Sequence, residues 1–484
     1  MNEYKLFTQR IGLIGITNLL VSLSGIILLP ILTKNLPIED YGAWVQVMVT
    51  IALISSIVIL GLPYTMVRFL AAEKDKKEIQ DGFYSIALIV LFTSVIASLL
   101  LLLLFSKPIA TSLFDNRTDL LKILLLLIPI ECLRSVCLNF FRAFQQIKRY
   151  SLFVFIQTYG MVALVTYSVL SGYGVYGAVL SFLIAKILMV LLMGSLIISE
   201  IGIKIPNFSH LKEYLNFGLP TVPGNFSSWI IRSSDRYVIG FFLGVAFVGY
   251  YSPGYALGSM IGMYGAPLGM LLPAVLSKLY DEGKYEEVKI YLEYALKYFL
   301  ILAIPSAFAL SILSKQLLVI LTTSEIASQG YLITSFVALS ALLLGASAII
   351  SHIIVLVKKT KIIGSIWIIA AIINLGLNFV VIPYIGIMGA AITTFIAYFL
   401  ASVLIIYYSF KYFRFDIDFR FILKSILASV AMSFVIIKWS PVGSLNVLLV
   451  IGTCAVVYAA ILLLLGGVKK EEIKFFRGLF HIRT

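Results

Sequence analysis

The sequence predicts an all-α integral membrane protein of fourteen transmembrane helices, arranged as two parallel six-helix lobes followed by two further helices. Three observations carry that prediction. Of 484 residues, 61% are hydrophobic and 12% charged, where a soluble domain has roughly 25% charged, and the mean hydropathy is +1.04. Continuously apolar runs recur with short polar breaks, each about 20 residues and so long enough to cross a hydrocarbon core of ~30 Å. The chain also resembles itself at a nearly constant offset, the mark of an internal repeat. Continuous rather than alternating apolar runs select helices over a barrel.

Taken in order, the first span lies near 11–32, "IGLIGITNLLVSLSGIILLPIL". It is too long for the apolar stretch of a cleavable signal and long enough to span. Spans two and three follow near 43–62 and 84–105. The fourth, near 123–141, holds Glu131 and Arg134 just after Pro129, and the sixth, near 177–198, holds Lys186. Between them lies the fifth, near 153–171. The seventh, near 219–243, contains "RSSDR", and the eighth, near 251–274, is interrupted by Gly258, Gly262, Gly265, Pro267, Gly269 and Pro273, which suits it either to bending or to close packing against other helices. Spans nine to twelve fall near 297–314, 331–354, 362–382 and 389–409; spans thirteen and fourteen fall near 424–440 and 445–466.

Shifted by 207, "NLPIEDYG" (35–42) falls on "FLGVAFVG" (242–249) and Asn18 on Asn225. A shift of 212 places "GVYGAVLSFLIA" (174–185) on "GIMGAAITTFIA" (386–397). The unit is six helices, an even number, so both units enter from one face and are related by an axis along the membrane normal. The expected divisions are a lobe over 1–210, a second over 211–410, and helices thirteen and fourteen with a tail over 411–484. Two such lobes have an obvious motion, rocking about a site near the midplane so that it opens to each side in turn.

Lys and Arg set the orientation. With the N-terminus inside, 27 of the 37 fall in cytoplasmic segments and six on the other face: Lys34, Lys107, Arg117, Lys122, Lys315 and Lys438. That bias places both termini in the cytoplasm of a multi-pass cell-membrane protein. Basic residues spread over short loops in this way also explain the net charge of +14 without a nucleic-acid partner. The remaining four cations, Arg134, Lys186, Arg232 and Arg236, sit inside spans.

A charge at the bilayer centre costs roughly 2.5–3.5 kcal/mol, and the seventh span carries Arg232, Asp235 and Arg236. Spaced i, i+3 and i+4, they share one helix face. That face avoids lipid if it lines a wet cavity, with Arg232 and Asp235 facing the water and Arg236 at its rim. One aspartate against two arginines leaves a positive excess suited to an anionic ligand. Asn225, and Asn18 at the repeat-equivalent position, are the polar candidates beside it. The competing account makes Arg232 and Asp235 a pair that locks helix packing. Glu131, Arg134 and Lys186 form a second set, either an ion pair or triad within one lobe or a relay for a coupling ion, Na+ or H+.

At these residues the chain resembles a known family. "RSSDRYVIGFFLGVAFVGYYSPGYAL" is similar to the helix 7–8 signature of the polysaccharide biosynthesis flippases, the Wzx-type proteins, and "LTKNLPIEDYGAW" resembles the end of their first helix. The wider superfamily includes the MATE multidrug exporters and the lipid II flippases. The resemblance implies a MATE-like fold and a cargo of lipid-linked oligosaccharide on a polyprenyl diphosphate, moved through the lipid bilayer from the cytoplasmic to the outer leaflet. It implies glycan assembly enzymes as partners, and ion coupling. Unlike the lipid II flippases, which often carry cationic residues in helix 1, this first helix has none.

The alternative is a MATE-type ion-coupled exporter of small molecules, whose often cationic substrates call for an acidic cavity; the intramembrane charges here number four basic against two acidic. No loop exceeds about 21 residues, too short for a soluble catalytic domain, and no GxxxxGK[ST] or HExxH motif occurs. The expectation is a transporter, not an enzyme. Cys132, Cys137 and Cys454 lie in apolar runs without CxxC spacing, so neither a metal site nor a bound cofactor is expected.

Overall fold

The computed structural model describes residues 2–114 and 117–467, with side chains from Leu13 onward except at 72, 102, 104–113, 270 and 274. Lys107 and the tail beyond 467 therefore lie outside the described side chains. Every described element is helical. In chain order the helices are α1 (Asn2–Asn35), α2 (Ile38–Val58), α3 (Leu62–Phe69), α4 (Lys76–Phe114), α5 (Thr118–Ala143), α6 (Ile147–Leu170), α7 (Gly174–Ile201), α8 (Leu211–Gly218) and α9 (Val222–Leu243). They continue as α10 (Val245–Ser259), α11 (Ala266–Asp281), α12 (Tyr285–Leu321), α13 (Ser324–Leu356), α14 (Thr360–Ile385), α15 (Ile387–Tyr412), α16 (Phe419–Trp439) and α17 (Ser444–Leu464).

Eleven of these, among the described residues, are long and apolar enough to cross a membrane, and twelve when α10 and α11 count as one bent span. The two other expected segments are the helices α5 and α9, each carrying charges mid-helix. The protein is thus an all-α, multi-pass membrane protein. Large apolar side chains such as Phe92 (64% exposed) and Leu126 (60%) face outward, the opposite of a soluble surface. Lipid is as apolar as leucine, so close van der Waals packing and interhelical hydrogen bonds hold the helices together rather than water exclusion.

Two compact units are distinguished by their internal contacts. The first comprises residues 1–252 and 367–393. Its centre is α5, flanked by α4, α7, α2 and α3. Phe140 on α5 stacks edge-on against Phe83 of α4 at 5.3 Å, and Trp44 of α2 packs against Phe182 of α7 at 5.7 Å. The second unit comprises residues 253–366 and 394–484. Here α12 runs along α13 and α16, and α16 along α17. Ser402 and Ser409 of α15 donate to the carbonyls of Leu343 and Ile350 on α13, at 3.3 and 3.2 Å.

The second and eighth spans are both broken. After α2 the backbone turns left-handed at Leu60 and Gly61 and restarts as α3, with Pro63 at its second position. A Cβ at Gly61 would strike the carbonyl oxygen of Gly218, so only glycine fits. Thr93 of α4 donates to the Val58 carbonyl at 2.8 Å, which restores one bond the break removes. The counterpart break in the second repeat follows α10, through a 3-10 turn over Met260–Tyr264, with a bend of 50° into α11. It falls in the glycine- and proline-rich stretch expected to bend.

Candidate functional site

Interrupted helices at equivalent positions of two repeats are where transporters place their sites, because freed backbone and polar side chains can face a cavity there. The first break borders such a cavity. Ser55, Ser56, Pro63 and Tyr64 form the wall at the end of α2 and the start of α3. Helix α5 contributes Glu131, Ser135, Asn139 and Arg142, whose spacing of four, four and three keeps them on one face. Helix α9 contributes Asn225 and Ser228. The site is an open pocket with a volume of about 370 Å³. Its lining is rich in hydroxyl and amide groups, on helices that elsewhere are apolar.

Glu131 sits at one end of this pocket and is engaged on both oxygens. Arg134 grips it with two donors, Nε at 2.8 Å and Nη2 at 2.6 Å, and its Nη1 donates to Gln157 of α6 at 3.0 Å. Lys186 of α7 reaches the same carboxylate and lies 4.3 Å from the centre of the Phe182 ring. The structure thus brings the expected triad together. Both cations are mostly shielded, with Lys186 5% exposed, and the cluster of two cations and one anion keeps a positive excess.

The "RSSDR" charges are placed differently from expectation. Arg232 is exposed, whereas Asp235 (0% exposed) and Arg236 (7%) are buried. Asp235 accepts from the Arg236 side chain at 2.8 Å, from the Arg236 backbone at 2.9 Å and from the Tyr251 hydroxyl of α10. Arg236 also donates to the Arg232 carbonyl at 2.8 Å and lies 5.4 Å from the Tyr251 ring centre. The pairing is therefore Asp235 with Arg236, not with Arg232. The physical reason is Tyr251, which draws the carboxylate toward α10 and away from the Arg232 side of the helix. Polar bonds also tie α9 to α2: the Gln46 amide donates to the Arg236 carbonyl at 2.8 Å, Trp229 to that of Val49 at 3.2 Å, and Thr50 meets the Tyr237 hydroxyl at 2.6 Å.

Of the other candidates, Asn225 lines the pocket, while Asn18 is exposed on α1 and is not part of that wall. Sequence reasoning missed Tyr64, Ser135, Asn139 and Arg142; the four-residue polar rhythm of α5 was the available signal. It also missed a fully buried polar group in which Asn378 donates to Asn374 at 3.3 Å and Thr393 donates to Asn378. Asparagines four apart in "NLGLN" were the trace of it. Among the described residues no three His, Cys, Asp or Glu side chains converge as metal ligands, and all three cysteines are free and buried.

Residues 7–280, more than half the chain, match the family described as polysaccharide biosynthesis protein. The chain belongs to that family. Residues 220–380 also match the MatE family. A curated relative, the probable low-salt glycan biosynthesis flippase Agl15 of Haloferax volcanii, is 22% identical over 211 residues, 43% of this chain and 44% of the relative. The match thus spans less than half the length of that protein. Among solved structures, the lipid II flippase MurJ in an inward closed conformation superposes with a TM-score of 0.75 at 21% identity, covering 96% of this chain and 99% of that one. An inward-facing multidrug resistance MATE transporter superposes at 0.70 and 16% identity, covering 82% and 97%. These likenesses establish the MATE-like fold of this family member.

Proposed function

We propose that this protein moves a lipid-linked oligosaccharide, carried on a polyprenyl diphosphate, from the cytoplasmic to the outer leaflet of the cell membrane by alternating access of its two lobes. The observation that carries the reading is the polar pocket at the α2–α3 break, which supplies two chemistries at once. Asn139, Asn225, Ser135 and Ser228 offer the donors and acceptors that sugar hydroxyls need. Arg142 on the wall, and the positive excess of Glu131, Arg134 and Lys186 at one end, suit the anionic linkage between sugar and lipid. Such a head group would not cross hydrocarbon without a hydrated path. The glycan biosynthesis flippase among its relatives and its family membership support the same cargo class.

Coupling to Na+ or H+ belongs to the same proposal. Both oxygens of Glu131 are already held by cations, so an incoming ion there would have to displace one of them. Glycan assembly enzymes are the proposed partners, since they make the cargo on one side and use it on the other. The deciding experiment is reconstitution in liposomes with a polyprenyl-diphosphate-linked oligosaccharide, scored by its appearance in the opposite leaflet. The expected result is flipping that is lost in Arg142→Ala. Efflux of a cationic dye with no lipid flipping would replace this reading with the small-molecule exporter.

A further inference from the structure

Among the described residues, Tyr64 is the one aromatic lining the pocket at the α2–α3 break. Its neighbours on α3 put it there. Leu62, Pro63, Thr65 and Met66 are buried, and the Thr65 hydroxyl donates to the Tyr214 carbonyl at 3.2 Å. With those positions anchored, the ring between them is held at the wall, 52% exposed. Other tyrosines of this unit direct their hydroxyls to protein partners: Tyr237 meets Thr50, Tyr251 donates to Asp235, and Tyr84 donates to the Gly202 carbonyl. The Tyr64 side chain has neither a hydrogen bond nor a ring partner among the described residues.

The polar groups of this wall are ordered along α5. The Lys and Arg bias predicts the Arg142 end of that helix at the cytoplasmic face. Glu131 lies eleven residues away, about 16 Å along the axis. Of its triad Glu131 lines the pocket, whereas Arg134 and Lys186, which hold it, do not. A carboxylate has about four acceptor positions. Arg134 Nε and Lys186 Nζ fill both on Oε2, and Arg134 Nη2 fills one on Oε1. One position on Oε1 is left for a donor from the pocket. The Asn139 amide donates to the Ser135 carbonyl at 2.9 Å, and its oxygen has no partner among the described residues. A pyranose ring matches this set. Hydroxyls around its edge can donate to Glu131 and Asn139, and one face can present C–H groups. The electron-rich face of an aromatic ring attracts the slightly positive hydrogens of such groups, and covering them removes apolar surface from water.

We propose that Tyr64 is the platform on which the sugar nearest the diphosphate stacks, with Glu131 Oε1 and Asn139 accepting its hydroxyls and Arg142 holding the diphosphate at the cytoplasmic mouth. The cargo this selects is a lipid diphosphate whose first sugar is a pyranose with an open C–H face and free hydroxyls. This rests on the lipid-linked oligosaccharide reading above. The test is equilibrium binding of two synthetic probes to the purified protein in nanodiscs: a short-chain polyprenyl diphosphate, and the same lipid bearing one glucose. The parent should bind the glucosylated lipid more tightly than the bare one. Tyr64→Leu keeps apolar bulk but no ring; it should weaken the glucosylated lipid about tenfold and leave the bare lipid unchanged. Tyr64→Phe should keep most of the affinity, and Arg142→Ala should weaken both lipids. A parent that binds the two probes equally, or a Tyr64→Leu protein that keeps its preference for glucose or loses both lipids alike, overturns the platform while the cargo reading stands. A parent that binds neither probe ends the cargo reading and the platform with it. Should Tyr64→Leu fail to accumulate, Tyr64→Trp keeps a ring in place. Its emission, beyond that of the four native tryptophans, should shift with the glucosylated lipid and not with the bare one; equal shifts also overturn the platform.

Discussion

Asp235 and Arg236 are a buried pair, and truncating one partner leaves the other charge stranded. Asp235→Ala should destabilise the protein by about 3–5 kcal/mol, seen as a lower melting temperature in detergent. Asp235→Ala with Arg236→Met should recover most of that loss, because no charge is then left alone. Arg232→Ala should leave the melting temperature nearly unchanged, since its side chain is exposed and forms no ion pair among the described residues. Around Glu131 the same logic separates packing from binding. Glu131→Gln leaves Arg134 and Lys186 without their shared carboxylate and should lower stability. Asn139→Ala and Ser135→Ala only remove pocket hydrogen-bonding groups and should reduce transport at normal protein level. Equal stability losses in all three would remove the pocket from the mechanism. The sequence showed that three charges lay together in one span. It did not show which two would pair, because Tyr251 reaches them from the next helix.

At the scale of elements, the break between α2 and α3 is the feature that opens the pocket. Gly61→Ala places a Cβ against the Gly218 carbonyl at a φ of +69°. It should cost at least about 1–2 kcal/mol and displace α3 from α8, whose contact includes the bond from Thr65 to the Tyr214 carbonyl at 3.2 Å. Trypsin or thermal challenge of the solubilised protein measures it, and a variant as stable as the parent would show that the break tolerates a side chain. Helix positions were legible because hydropathy marks what lipid touches. Their ends were less so. The ninth span, expected over 297–314, begins at Tyr285 and runs 37 residues, about 55 Å at 1.5 Å per residue. The extra turns before it, "YEEVKIYLEYAL", are amphipathic and good helix formers, so the helix continues past the hydrocarbon where hydropathy falls silent. The pocket was least legible, because its walls come from four helices whose adjacency no local pattern records.

For the whole molecule, the charge bias predicts an orientation that reporter fusions test directly. Fusions after Arg117 and Gly443 should report outside, and fusions after Lys76 and Lys359 inside. An inverted signal at Lys359 alone would give the second half the opposite entry face and end the parallel-repeat account. Short matches in the sequence point to a repeat at an offset of 207, and the same offset relates two close approaches: a Cβ at Gly42 would meet the carbonyl of Val245, and one at Gly249 would meet Ile38. That correspondence also limits how the two halves of the gene can change. Each glycine depends on a residue one helical turn away in the other half, so the four-residue spacing 38–42 and the four-residue spacing 245–249 are the same measurement made twice. Inserting one residue inside either would swing a seat by about 100° around its helix and unmake both contacts together. The four-residue length is therefore fixed in each half separately, because residues five apart no longer share a helix face and a matching insertion in the other half would displace the second seat as well.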